Sequence, residues 1–324
     1  MLAARTNPML TLAPNMIAAI GNTPLVQLHS VVPPGSARVV AKLESSNPTG
    51  SMKDRMARAA IEAAEAAGRL RPGGTVVEYT GGTTGVSLAF VSAARGYKME
   101  IVFSDAFSPE KGAMMRALGA HLTMIPSGGA GITEALVRRM IETAREISTR
   151  HGAFWTDQLN NHDMITGYHA MGEEIWEQSG GAVDALVHSV GTAHSIHGVA
   201  RALRKKRPGL HVTAVEPAES PVLSGGPSGA HRIDGIGIGF VPPLWHRDEV
   251  DEIMTASTDE AKAMARRLAR EEGIFAGTST GANVVAALRV AARLGPKATV
   301  ATIVVDSGLR YVSTDLFEDA PARG

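Results

Sequence analysis

Short β-branched and apolar runs alternate along this chain with longer segments of helical period. Residues 39–43 read as a strand, and 52–67 as a helix stopped by Gly68. Strands at 75–78, 99–103 and 121–125 are interleaved with helices at 84–95 and 109–118, and helices at 132–149 and 163–178 follow. The alternation restarts with strand 185–189, helix 196–206 and strand 212–216. A Gly/Pro-rich stretch with little periodicity, 220–239, separates these from helices at 258–272 and 280–293 and a last strand at 299–305. Strands that alternate with helices form parallel sheets covered on both faces. The order predicts an α/β protein with two open, mostly parallel twisted sheets flanked by helices, and a ligand cleft where strand ends meet loops.

Composition narrows the chemistry. The 324 residues are 44% apolar and 20% charged with zero formal net charge, which favours a small ligand over nucleic acid or an anionic membrane. There is no cysteine, so disulfides, thiolate catalysis, Cys-ligated zinc and iron–sulfur clusters are excluded. Residues 1–20 are fairly apolar, but Pro8 and Pro14 break them and Arg5 is their only charge. They lack the compact apolar region of a signal peptide, and no later run approaches the ~20 residues of a membrane span. A cytoplasmic protein is expected.

Three segments carry candidate chemistry. Asn47-Pro48-Thr49-Gly50-Ser51-Met52-Lys53-Asp54-Arg55 is a turn into a helix, with Ser51 as the expected N-cap and Lys53 in the first turn. The positive end of a helix disfavours a cation, so the lysine pKa should fall, as an amine that forms a Schiff base requires. Tyr79-Thr80-Gly81-Gly82-Thr83-Thr84-Gly85 follows a strand and opens a helix, and Gly191-Thr192-Ala193-His194-Ser195 repeats that context. Each loop offers N–H and hydroxyl donors to a carboxylate or phosphate, although a plain strand-to-helix turn has the same pattern. A third glycine run, Gly235-Ile236-Gly237-Ile238-Gly239-Phe240, opens no helix and precedes Pro242-Pro243, which argues against a dinucleotide fingerprint. His188, His194 and His197 lie close in sequence, but none has an acidic or histidine partner at a convincing metal-ligand spacing, so no metal is expected.

In this order, the segments resemble the cysteine synthase/cystathionine β-synthase family of fold-type II enzymes dependent on pyridoxal 5'-phosphate (PLP). Ile20-Gly21-Asn22-Thr23-Pro24-Leu25 is similar to the family's opening signature and Asn47–Arg55 to its lysine motif. Ala276-Gly277-Thr278-Ser279-Thr280-Gly281 is similar to its late serine loop, residues 233–242 to its active-site loop, and Asp306-Ser307-Gly308-Leu309-Arg310-Tyr311 to its final strand and turn. The resemblance spans about residues 17–314. It implies that Lys53 holds PLP and acts as base on the substrate α-proton, that Gly191, Thr192, Ala193, His194 and Ser195 hold the phosphate, and that Ser279 faces the pyridine nitrogen. Thr83 would approach the ring oxygen, and Thr80, Gly81, Thr84, Gln158 and Gly235 the substrate. A neutral hydroxyl at the ring nitrogen weakens the electron sink and favours β-elimination and β-replacement over transamination.

The implied reaction is β-replacement on an activated L-serine such as O-acetylserine by a sulfur nucleophile, through an aminoacrylate. Cystathionine synthesis, a specialised non-protein amino acid synthase, and a PLP-binding partner or sensor protein are the rivals. The implied domains are 1–11 with 46–158, smaller and carrying the substrate loop and a candidate lid at 105–111, and 12–45 with 159–324, larger and carrying the phosphate loop. A homodimer is implied by resemblance alone. Two departures stand out. Gly81-Gly82-Thr83 replaces the family's Ser-Gly-Asn, which removes a substrate hydrogen bond worth about 1–3 kcal/mol to a charged acceptor. Ala193 and His194 replace two glycines, and His194 either adds a charge-assisted contact to the phosphate or points away from it.

Overall fold

The computed structural model describes residues 12–129 and 133–318. In chain order the elements are β1 (Leu25–Gln27), β2 (Arg38–Leu43), α1 (Lys53–Ala66), β3 (Thr75–Tyr79), α2 (Thr83–Arg95), β4 (Lys98–Ser104), α3 (Pro109–Ala117), β5 (His121–Ile125), α4 (Glu134–His151) and β6 (Phe154–Trp155). There follow α5 (Asp163–Thr166), α6 (His169–Gln178), β7 (Ala185–Ser189), α7 (His194–Lys206), β8 (His211–Pro217), β9 (Glu252–Ala256), α8 (Thr258–Glu271), α9 (Thr278–Leu294) and β10 (Thr299–Val304). A six-stranded sheet has the order β1-β2-β10-β7-β8-β9, and a four-stranded sheet the order β5-β4-β3-β6. Only β1 pairs antiparallel among the described strands. The two open parallel sheets expected from the alternation are present.

Burial explains the strand sequences. In β7 and β10 every residue is buried, as continuous apolar runs covered on both faces require. Leu186 and Ile303 pack in one apolar cluster of the six-stranded sheet, Val187 and Val304 in the other. The four-stranded sheet likewise has Val76 and Ile101 on one face and Val77 and Val102 on the other. Ile238 and Phe240, from the glycine-rich stretch, pack against the latter cluster. That stretch therefore reaches from the larger sheet to the smaller.

The structure departs from the sequence reading in several places. The helix expected at 163–178 is two helices, α5 and α6, separated at Gly167-Tyr168. A Cβ at Gly167 would lie 2.7 Å from the Arg55 carbonyl oxygen, so α5 crosses α1 at near backbone contact. The strands β1, β6 and β9 were not expected; two of them are three residues or fewer. Ser51 is not the N-cap of α1: Met52 precedes the helix, and Ser51 instead forms an antiparallel bridge with Asp306 while its hydroxyl accepts the Lys53 N–H at 3.2 Å. The expected helix start at Ile132 and the assignment of residues 1–11 to the smaller domain fall outside the described residues.

Candidate active site

The lysine turn is clamped from two sides. Met52 N–H donates to the Val305 carbonyl at 3.0 Å and Ser307 N–H to the Gly50 carbonyl at 2.9 Å, which ties the turn to the end of β10. Asp54 is fully buried and accepts from the Thr49 N–H at 2.8 Å and the Thr49 hydroxyl at 2.6 Å. Deeper, Arg55 donates to Glu44 through Nε at 2.7 Å and to Glu174 through Nη1 at 2.8 Å. Lys42 completes the network at 2.6 Å from Glu174, while Asn47 donates to Glu44 at 2.8 Å and accepts the Gly21 N–H at 2.9 Å. The opening Gly21-Asn22-Thr23 and the lysine motif are thus one hydrogen-bonded unit.

Lys53 is partly buried, and desolvation lowers its pKa to about 8, against the opposing pull of Asp306. The direction matches the sequence expectation, but the leading cause is burial rather than the helix terminus. Near neutrality a useful fraction of the amine is therefore unprotonated. Asp306 is buried, accepts the Tyr311 hydroxyl at 2.7 Å, and has its own pKa raised by desolvation. Sequence reasoning placed Asp306 in a motif without giving it this position beside the lysine; its place directly after a central strand was the available signal.

The loop 191–195 has the features of an anion cradle. The backbone N–H groups of Gly191 through Ile196 find no protein acceptor among the described residues, and they converge on the N-terminus of the 13-residue helix α7. A Cβ at Gly191 would lie 2.4 Å from the Gly235 carbonyl oxygen, so the glycine run packs directly behind the loop, with Gly237 N–H donating to the Val190 carbonyl at 3.1 Å. Ala193 takes the left-handed conformation at φ 69° where the family resemblance has glycine. His194 is buried, with Nδ1 2.7 Å from the Thr192 hydroxyl, and burial lowers its pKa to about 3, helped by the Lys53 charge. A neutral imidazole N–H can still donate to an anionic phosphate oxygen. Converging unpaired donors and a neutral, hydroxyl-rich lining fit the phosphate of PLP.

Ser279 is buried in the first turn of α9, between Thr278, whose hydroxyl accepts the Asp234 N–H at 3.0 Å, and Thr280, whose hydroxyl accepts the Val305 N–H at 3.0 Å. In the other loop, the buried Thr80 hydroxyl accepts from Gly82 N–H at 2.9 Å and Gly85 N–H at 3.3 Å, shaping the turn into α2. Thr83 and Thr84 are the first residues of that helix, Thr84 buried and Thr83 partly so. Gln158 donates its side-chain amide to the Tyr79 carbonyl at 2.8 Å and its backbone N–H to Glu78 at 2.9 Å, which brings it onto the same loop. Glu78, which the sequence did not single out, is fully buried; desolvation raises its pKa to about 7 against donors from Thr156, Gln158, Tyr79 and Trp155.

Phe107 and Lys111, from residues 105–111, pack against this loop, while Gly81 stays exposed. A Cβ at Gly81 would meet the Phe107 ring at 2.8 Å, and one at Gly82, which has φ 136°, would meet the Lys111 side chain at 2.2 Å. Lys111 is buried and pairs with Asp234 at 2.5 Å, with its ammonium 5.0 Å from the Tyr311 ring centroid. Residues 105–111 of the smaller sheet's side are thereby tied to the loop that carries Asp234. The three neighbouring histidines have separate partners: His188 bonds Ser195 at 2.8 Å, His194 bonds Thr192, and His197 accepts the His246 N–H at 3.1 Å. No group of three or more potential metal ligands occurs among the described residues.

A lysine amine of lowered pKa and a loop of unpaired N–H donors, carried on two open α/β sheets, fit an enzyme that anchors a phosphorylated cofactor on a lysine. The family model described as pyridoxal-phosphate dependent enzyme matches residues 17–306, and the chain belongs to that family. It is 41% identical over 310 residues to a cysteine synthase of Staphylococcus aureus (strain N315), covering 94% of this chain and 96% of that protein. Among solved structures, cysteine synthase from Entamoeba histolytica is 36% identical with a TM-score of 0.92, covering 99% of this chain and 95% of that one. O-ureido-L-serine synthase is also 36% identical, with a TM-score of 0.88 over 97% of this chain and 98% of that one. The protein is a PLP-dependent enzyme of fold type II, as the resemblance implied.

Proposed function

We propose that the protein catalyses β-replacement on an activated L-serine such as O-acetylserine, with a sulfur nucleophile, to give cysteine or a cysteine analogue. The observation that carries this reading is the Lys53 amine, brought to a pKa of about 8 by burial. When bound, PLP supplies the electron sink that makes an amino acid's α-proton acidic. Lys53 would hold the cofactor, and its amine would serve as the base for the substrate α-proton. The N–H groups of the 191–195 loop and the Ser195 hydroxyl would hold the phosphate, and the Ser279 hydroxyl would serve the ring nitrogen. Thr84 and the backbone of the 80–85 loop orient the substrate carboxylate, supported by Gln158. Thr83 would serve the ring oxygen, and Gly235, where a Cβ would meet nothing within 4 Å, would leave room for the substrate. Phe107 and Lys111 exclude water when the lid lies over Gly81 and Gly82.

Residues 1–11 with 46–158, and 12–45 with 159–324, are proposed as the two domains that close on the substrate. No helix among the described residues is long and apolar enough to cross a membrane. A cytoplasmic homodimer belongs to the same proposal, by family resemblance.

A specialised synthase with a different nucleophile is favoured by one observation: the Phe107 ring occupies the space that a serine side chain at position 81 would need. Purified protein supplied with O-acetylserine and sulfide separates the readings. Rapid cysteine formation supports the first; consumption of O-acetylserine with other nucleophiles but not sulfide supports the second. A PLP-loaded protein that consumes no β-substituted serine would overturn both and leave a binding or sensing role.

A further inference from the structure

His188 lies within β7, where all five residues are buried, and its side chain has no exposure. A histidine in a dry parallel strand is costly unless both ring nitrogens are bonded. Both are: Nε2 lies 2.8 Å from the Ser195 hydroxyl oxygen and Nδ1 lies 3.2 Å from the Asn283 side-chain amide nitrogen.

The bond directions are fixed from behind. Asn283, in α9 and fully buried, accepts the Ser189 N–H through Oδ1 at 2.7 Å and donates through Nδ2 to the Ile303 carbonyl at 2.8 Å. A backbone N–H can only donate and a carbonyl can only accept, so the amide has one orientation. Its second Nδ2 hydrogen points to His188 Nδ1, which must be bare. The imidazole proton then sits on Nε2 and is donated to Ser195 Oγ. With its oxygen accepting from the ring, the Ser195 hydroxyl has its own hydrogen free to turn toward the cradle. Burial, with the Lys53 charge as a second cause, lowers the His188 pKa to about 3, so the ring stays neutral and the tautomer does not switch near neutral pH.

We propose that Asn283 and His188 are positioning residues that orient the Ser195 hydroxyl as an obligate donor to the cofactor phosphate. The proposal rests on the reading of 191–195 as the phosphate loop. It accounts for a buried imidazole beside a lysine cation, and it couples the loop to α9, the helix that carries Ser279.

The test has two arms. In holoenzyme labelled with nitrogen-15 histidine, the His188 resonances, assigned by their loss in His188→Phe, should show the Nε2-protonated neutral tautomer. They should stay unchanged from about pH 6 to about pH 9. A Nδ1-protonated or titrating His188 overturns the relay, whatever the variants do. In the second arm, protein resolved of cofactor is titrated with PLP and with pyridoxal. Ser195→Ala should weaken PLP about tenfold or more and leave pyridoxal affinity unchanged. His188→Phe should weaken PLP in the wild-type background but not further when Ser195 is already Ala. An unchanged PLP affinity in Ser195→Ala refutes the phosphate-loop reading itself. Loss in Ser195→Ala with no effect, or a fully additive effect, of His188→Phe refutes the relay alone.

Discussion

Replacing Gly81 with alanine should expose how tightly the lid is seated. An added Cβ would stand 2.8 Å from Phe107 Cε1, with two further ring atoms at 3.2 and 3.3 Å, so the ring must move. It is not free to move far, because Phe107 also stacks on Phe103 with centroids 5.7 Å apart and packs against both apolar clusters of the smaller sheet. Overpacking of this kind costs about 1–3 kcal/mol. Gly81→Ala should therefore lower stability by about 1–2 kcal/mol and raise KM, since the displaced ring opens the cover over the substrate loop. In a Phe107→Ala background the same substitution should cost almost nothing, giving a coupling energy of about 1–2 kcal/mol in a double-mutant cycle. Urea unfolding of the four proteins, with KM for the β-substituted serine measured in parallel, supplies the cycle. Equal costs in both backgrounds would refute the claim that Phe107 dictates glycine at position 81.

Two other outcomes follow from the buried charges. Arg55→Met should destabilise the protein by about 3–5 kcal/mol in urea unfolding, because it takes the paired guanidinium from Glu44, which is fully buried, and one of two cations from Glu174. Glu78 titrates at about 7 in the folded protein, above the ordinary 4.5, so the folded state holds its proton over a range where the unfolded chain has lost it. Its contribution to stability is complete below about pH 4.5 and is lost as pH rises through about 7, a change of roughly 3 kcal/mol; Glu78→Gln should flatten the stability profile across that window.

The long elements were legible in the sequence because their apolar periods are sustained: His121–Ile125 and Ala185–Ser189 have the expected bounds, and α7, α8 and α9 differ only at their ends. β6 was not, because two residues, Phe154 and Trp155, carry no period, and β9 is an edge strand whose Glu252 pairs with Arg293 instead of alternating cleanly. The lysine turn and the glycine loops could be read because they depend on local backbone geometry. The latch between Lys111 and Asp234, the seat of Phe107 on Gly81 and the Asn283–His188–Ser195 relay could not, since each joins side chains that only the tertiary fold brings together. The neutral state of His194 was also not legible, because it follows from burial rather than from residue type.

Lys53 is the residue on which cofactor binding and turnover both depend. Protein saturated with PLP, reduced with borohydride and digested should give a phosphopyridoxyl group on the peptide containing Lys53 and on no other lysine, and Lys53→Ala should lose both the label and turnover. A reduced, cofactor-saturated protein whose Lys53 peptide is unmodified would contradict the central claim.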